Sequence, residues 1–136
     1  MIKISRLADY AVVVLATLLK GDGQSMSAAA VAEVSRLPEP TVAKVLKLLA
    51  KDGLVVSTRG AGGGYMVSKS ASDISIAAIL ASVDGPVALT ACVDGQEGSC
   101  SYSGACPVHG RWDGVNNAIQ NALNSVTLSD MMGKAA

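Results

Sequence analysis

A mainly α-helical fold with one small β-hairpin and a long C-terminal helix is what this 136-residue sequence predicts, and three observations carry it. Apolar residues recur at steps of three and four through successive segments of the first half, the period of amphipathic helices. A glycine-rich string, Arg59-Gly60-Ala61-Gly62-Gly63-Gly64, separates two short β-prone runs, and a last apolar series runs from Val108 to Val126. Half of the residues are hydrophobic, enough at this length for one buried core. Helix, turn, helix and hairpin in that order make a winged helix-turn-helix, here followed by a further long helix.

Between Ser5 and Leu19 the residues Leu7, Tyr10, Ala11, Val14, Leu15 and Leu18 form one stripe, which Lys20-Gly21 ends. Ser27 is placed to cap a short helix over Ala28 to Ser35, with Val31 and Val34 inward and Glu33 and Arg36 outward. The string Leu37-Pro38-Glu39-Pro40 then forces a turn, because each proline lacks an N–H and pushes its predecessor out of helical geometry. A third helix starts near Pro40 and stops at Gly53. Val42, Val45, Leu46 and Leu49 give it a buried stripe, and Thr41, Lys44, Lys47 and Lys51 share another face.

Leu54 to Ser57 and Tyr65 to Ser68 read as the strands of a hairpin with a nearly bare tip. Ser72-Asp73 is expected to cap a helix carrying Ile76, Ile79, Leu80 and Val83, ended by Asp84-Gly85-Pro86. Thr90 to Ala105 has no apolar period and reads as a loop. After Pro107, Val108, Trp112, Val115, Ile119, Ala122 and Val126 line one side of the last helix, a seam suited to packing on a second copy of the chain or on the first helix. The expected division is a winged helix-turn-helix over residues 1–71, a connecting helix and cysteine-bearing loop over 72–106, and a dimerisation helix with a short tail over 107–136.

Formal net charge is zero, but its distribution is uneven. Residues 1–71 hold nine Lys or Arg against five Asp or Glu, and residues 72–136 hold two against six. Local positive charge is what a phosphate-binding surface needs, since affinity comes from counterions released where Lys and Arg meet the backbone, and distant acidic groups are screened. A lysine row alone more often marks a solvated helix face. Followed by a glycine-rich wing, with Arg59 able to enter a narrow minor groove, it reads as a recognition helix for double-stranded DNA. The glycines do not make a nucleotide loop: a strand rather than a helix follows them, and no Lys-Ser or Lys-Thr closes them.

The three cysteines lie within fifteen residues: seven separate Cys92 from Cys100, five separate Cys100 from Cys106, and two separate Cys106 from His109, the sole histidine. An odd count without a secretion signal disfavours a disulfide framework. Thiolates on a polar loop have little core to fill and suit a soft metal centre, zinc or iron-sulfur, and spacing does not choose between them. The run Tyr10 to Leu19 falls short of the roughly 18 residues of a membrane span, so a cytoplasmic protein without membrane partners is expected. An electron carrier would share the cysteines but need neither lysine face nor wing. A redox enzyme finds no cysteine pair with two intervening residues and no acid-base partner at His109.

Together the opening Ile4 to Ala11, the string Arg59 to Tyr65, the run Ile79 to Val83 and the three-cysteine loop resemble the IscR/NsrR-type regulators of the Rrf2 family over Met1 to about Met131. The resemblance implies a homodimeric winged-helix transcription regulator, not an enzyme, whose cluster reports on cluster supply, iron, oxygen or nitric oxide. Position by position it implies Cys92, Cys100 and Cys106 as thiolate ligands and His109 as the fourth, with a 2Fe-2S cluster favoured and 4Fe-4S as the other form. The first gap is longer than in the IscR branch. In relatives with another cluster the fourth ligand is an acidic residue on the partner's first helix, which makes Asp9 the rival. It also implies base contacts from Thr41 and Lys44 and a wing arginine at Arg59, to which the lysine face adds Lys47 and Lys51 and the wing string adds Gly60, Gly62, Gly63 and Tyr65 as DNA-binding residues; Ala43 departs from the larger polar residue of the IscR branch. Likeness to the shorter SUF-system regulators implies repression of cluster-assembly genes, with a nitric-oxide or redox-sensing repressor as the alternative.

Overall fold

A computed structural model describes residues 1–93 and 100–133. In chain order its elements are α1 (Arg6–Lys20), α2 (Ala28–Ser35), α3 (Glu39–Lys51), β1 (Val55–Thr58), β2 (Gly64–Val67), α4 (Ile76–Asp84), α5 (Trp112–Ser125) and α6 (Leu128–Met131), with 3-10 turns at Ala71–Asp73 and Ala91–Val93. The fold is mainly α with a two-stranded antiparallel wing, as the sequence predicts. Residues 94–99 of the cysteine loop and 134–136 of the tail lie outside the described residues.

The central element is α1, which packs on α2, α3, α4 and β2. Its cap is Ser5, whose hydroxyl accepts the Ala8 N–H at 3.0 Å, and Asp9 and Lys20 at its two ends match the helix dipole. Ala8, Ala11, Val14, Leu15 and Leu18 are buried, with Leu7 and Tyr10 half-buried at the edge. Ser27 caps α2 through the Ala30 N–H at 3.1 Å. Here Val34 departs from expectation and is 65% exposed. The inward row of this two-turn helix is Ala28, Val31, Ala32 and Ser35, the i, i+3, i+4, i+7 set, and Val34 falls off it.

Helix α2 ends on Arg36 in the left-handed conformation, φ 62°, and α3 begins one residue before Pro40. All four expected core residues of α3 are buried: Val42, Val45, Leu46 and Leu49. The hairpin pairs Val55 with Val67 through Thr58 with Gly64, so each strand is shifted by one residue from the expected runs. Leu54 instead turns the chain off α3, donating its N–H to the Leu49 carbonyl at 2.9 Å.

The cap of α4 is Ser75, which accepts from the Ala78 N–H at 3.0 Å, rather than Ser72 or Asp73. Those two residues form the 3-10 turn that sinks Ile74 into the core. The last helix is also shorter than its apolar series. Val108 sits in turns ahead of α5, Val126 is extended after it, and the chain folds back on itself. Leu128 donates to the Ile74 carbonyl at 2.8 Å, the Ile76 N–H donates to the Val126 carbonyl at 2.9 Å, and Leu128 is completely buried. The short α6 closes this return with a capping box between Thr127 and Asp130. Among the described residues no helix is long and apolar enough to cross a membrane.

Candidate functional site

The first candidate surface is built by α3 and the wing. Lys44, Lys47 and Lys51 are exposed on α3 opposite its buried stripe, and Thr41 at the start of the helix is half-buried. Arg59 is exposed at the tip of the hairpin, followed by Gly60 at φ 105°, a conformation that favours glycine. Around Gly60 and Gly62 a Cβ would meet nothing within 4 Å, so this backbone is open to another surface. Tyr65 is half-buried against the core.

What holds the wing was not legible in the sequence. The backbones of Met26 and Tyr65 pair in both directions, at 3.0 and 2.7 Å, giving the hairpin a one-residue third strand from the α1–α2 loop. Ser25 donates its hydroxyl to the Gly62 carbonyl at 2.7 Å, and the Thr58 hydroxyl accepts the Gly64 N–H at 3.1 Å. A serine and a methionine in a loop carry no signal for such a role.

The second candidate site is a cavity of about 150 Å³ between the 3-10 turn at Ala91–Val93, the turns over residues 100–111 and the start of α5. Cys92, Cys100, Cys106 and His109 all line it, with Thr90, Ser103, Val108 and Trp112 among the other walls. The three thiols are free and half-buried, and the Thr90 hydroxyl and Cys92 Sγ are hydrogen-bonded at 3.1 Å. Among the described residues no three His, Cys, Asp or Glu side chains converge as ligands of a single metal ion. The donor set nevertheless fits an iron-sulfur centre by its chemistry: three soft sulfurs and one imidazole face one space, and a cluster spreads its ligands over more than one iron. Asp9 lies elsewhere, exposed in a cleft with Lys3, Ile4, Ser5 and Arg6. Within one chain His109 shares the cysteine cavity and Asp9 does not.

Trp112 and Val108 belong to two surfaces at once. They line the cysteine cavity, and with Arg111 and Val115 they line an adjoining groove of about 250 Å³. Val108, Trp112, Val115 and Val126 are exposed, with Trp112 at 43%, although each is large and apolar. No residue of α5 is buried; Leu123 packs against the core from the partly covered side.

Residues 4–134 match the family model described as Rrf2, iron-dependent transcriptional regulator. The chain belongs to the Rrf2 family. An HTH-type transcriptional regulator from Haemophilus influenzae is 33% identical over 133 residues, 97% of this chain and 87% of that protein. IscR from Serratia proteamaculans is 40% identical over 84 residues, which is 62% of this chain and only half of IscR. Among solved structures, CymR, the global cysteine regulator of B. subtilis, superposes with a TM-score of 0.73 at 26% identity over the whole of both chains. IscR from T. potens does so with a TM-score of 0.69 at 29% identity, over 99% of this chain and 89% of that one. This Rrf2 protein is therefore a DNA-binding transcription regulator related to IscR, and its relatives are regulators rather than enzymes.

Proposed function

We propose that this Rrf2 protein is a homodimeric repressor that holds an iron-sulfur cluster on Cys92, Cys100, Cys106 and His109, acting in the cytoplasm on cluster-assembly genes of the SUF type. The observation that carries the reading is the convergence of all three cysteines and the only histidine on one cavity. In this assignment residues 1–71 bind operator DNA, residues 72–106 carry most of the ligand loop, and residues 107–136 dimerise. The cluster is assigned as 2Fe-2S, with 4Fe-4S distinguished by its iron count and spectrum. When bound, it supplies iron–thiolate bonds that iron supply, oxygen or nitric oxide can make or break.

The chain's own residues do the rest. Lys44, Lys47 and Lys51 neutralise phosphates, Thr41 and Lys44 reach base edges, and Arg59 enters the minor groove while Gly60 and Gly62 let the backbone come close and Gly63 leaves room for the Thr58 and Gly60 carbonyls inside the tip. Two copies joined along α5 place two such heads on half-sites about one turn of DNA apart. Ordering of the cysteine loop against Trp112 and Val108 bears directly on that seam, because both residues wall cavity and groove together. Coupling between two sites in one protein is typically about 1–3 kcal/mol, or roughly 5- to 150-fold in affinity.

The deciding experiment is anaerobic purification with a visible spectrum and iron and sulfide assays, followed by titration of a SUF-promoter duplex with cluster-loaded and cluster-free protein. A coloured protein whose two forms differ in affinity is expected. A colourless, iron-free protein that takes up no iron and sulfide, or equal affinity in both forms, overturns it.

A further inference from the structure

Asn116 stands one turn beyond Trp112 on α5, half-buried, and both polar atoms of its side chain reach one distant stretch of backbone. Its Nδ2 donates to the Val87 carbonyl at 3.0 Å, and its Oδ1 accepts the Leu89 N–H at 3.0 Å. Val87 and Leu89 lie in neither helix nor strand, so a side chain supplies what a ladder would otherwise give. A carboxamide suits this task because it offers a donor and an acceptor side by side; a carboxylate lacks the donor.

The clamped stretch leads straight to the first cysteine. Thr90 follows Leu89, its carbonyl accepts the Val93 N–H at 3.2 Å, and its hydroxyl meets Cys92 Sγ. The 3-10 turn at Ala91–Val93 that carries Cys92 packs on α5. Cys106 and His109 approach the same cavity from the other direction, through the turns that run into Trp112. Cys92 is thus tied to the helix at Asn116, and Cys106 and His109 join the same helix at its start.

We infer that Asn116 is a positioning residue: by fixing residues 87–89 on α5 it sets where Cys92 stands across the cavity from Cys106 and His109. The purpose of that placement rests on the cluster reading; the placement itself is testable without any cluster. Because α5 also carries the apolar groove at Val115, this clamp links the first cysteine to the proposed dimer face.

The test uses full-length, cluster-free protein with Asn116→Ala and Asn116→Asp, the second keeping shape while replacing the donor with an acceptor. Iodoacetamide labelling of each cysteine is followed by mass spectrometry, together with hydrogen exchange at the Leu89 amide. Losing both hydrogen bonds to residues 87–89 should raise both the Cys92 labelling rate and the Leu89 exchange rate on the order of 5- to 30-fold, with Cys106 unchanged. Cys92 labelling at the wild-type rate in both variants overturns the inference, as does equal acceleration of all three thiols, which would mean general loosening. In parallel, wild type and variants are reconstituted anaerobically with iron and sulfide. Failure of the wild type to take up iron removes the cluster reading while leaving the labelling result to stand, and faster bleaching of the variants in air supports both.

Discussion

Met26 and Tyr65 exchange two backbone hydrogen bonds, and Gly64 sits against them so closely that a Cβ there would lie 2.5 Å from both the carbonyl carbon and the oxygen of Met26. Backbone cannot yield as a flexible side chain can. Gly64→Ala should therefore displace the wing from the α1–α2 loop, costing about 1–3 kcal/mol, and weaken operator binding. Gly62→Ala, with nothing within 4 Å, should stay within about 0.5 kcal/mol of wild type in folding stability. Urea unfolding and fluorescence anisotropy with duplex DNA check both.

The lysine face makes a salt prediction. Lys44 and Lys47 are exposed on the outer side of α3, so replacing either with Ala should leave the unfolding midpoint unchanged. Each should reduce the slope of log affinity against log salt by about 1 and weaken binding on all sequences alike. Arg59→Ala should lose most on sites with a narrow minor groove. Titrations at several salt concentrations, on two duplexes of different groove width, separate these effects.

The seam on α5 predicts a change of assembly state. Val115 is exposed in one chain and lines the groove with Trp112. A lysine there would place a charge in the centre of any surface that pairs with its own copy, twice per dimer. Val115→Lys should sediment as a monomer at concentrations where the wild type is a dimer, with its helical circular dichroism retained. A dimer of unaltered stability would remove α5 from the interface.

Leu128 is wholly buried although it lies eight residues from the end of the chain. Leu128→Ala should cost about 2–5 kcal/mol, comparable with a change in the middle of α1, and detach α6 from the turn at Ile74. Thermal unfolding measures the first effect, and amide exchange at Leu128 the second.

Asp130 predicts an acid dependence. The Thr127 backbone N–H and then its hydroxyl hold this carboxyl below its ordinary pKa. A lowered carboxylate pKa means the folded state favours the charged form, so its contribution is complete above the unfolded value and fades as pH falls through the folded one. Asp130→Asn should therefore melt below wild type at neutral pH, and the gap should close under acid conditions beneath the ordinary carboxylate range. A gap independent of pH would assign the capping to shape alone.

Much of this molecule is legible in its sequence, and particular residues show why. The stripes of α1 and α3 were legible because four or more apolar positions repeat on one face and each helix has a marked start and stop. The wing was legible because glycines cluster between β-prone runs. The exposure of Val34 is not legible because a helix of two turns gives too few positions to fix its phase. The cap of α4 is not legible because Ser72 and Ser75 are equivalent by type, and the burial of Ile74 decides between them.

By itself the sequence determined which residues could form helices, which string could form a wing, and which four side chains are suited to a soft metal, since these depend on residue type and short-range periodicity. Tertiary structure alone decided which distant groups meet: Met26 with Tyr65, Asn116 with Val87 and Leu89, Leu128 with the Ile74 turn, and four candidate donors around one cavity. The physical reason is that such pairings turn on one or two hydrogen bonds or a buried methyl group, across separations where no period in the chain records the partner.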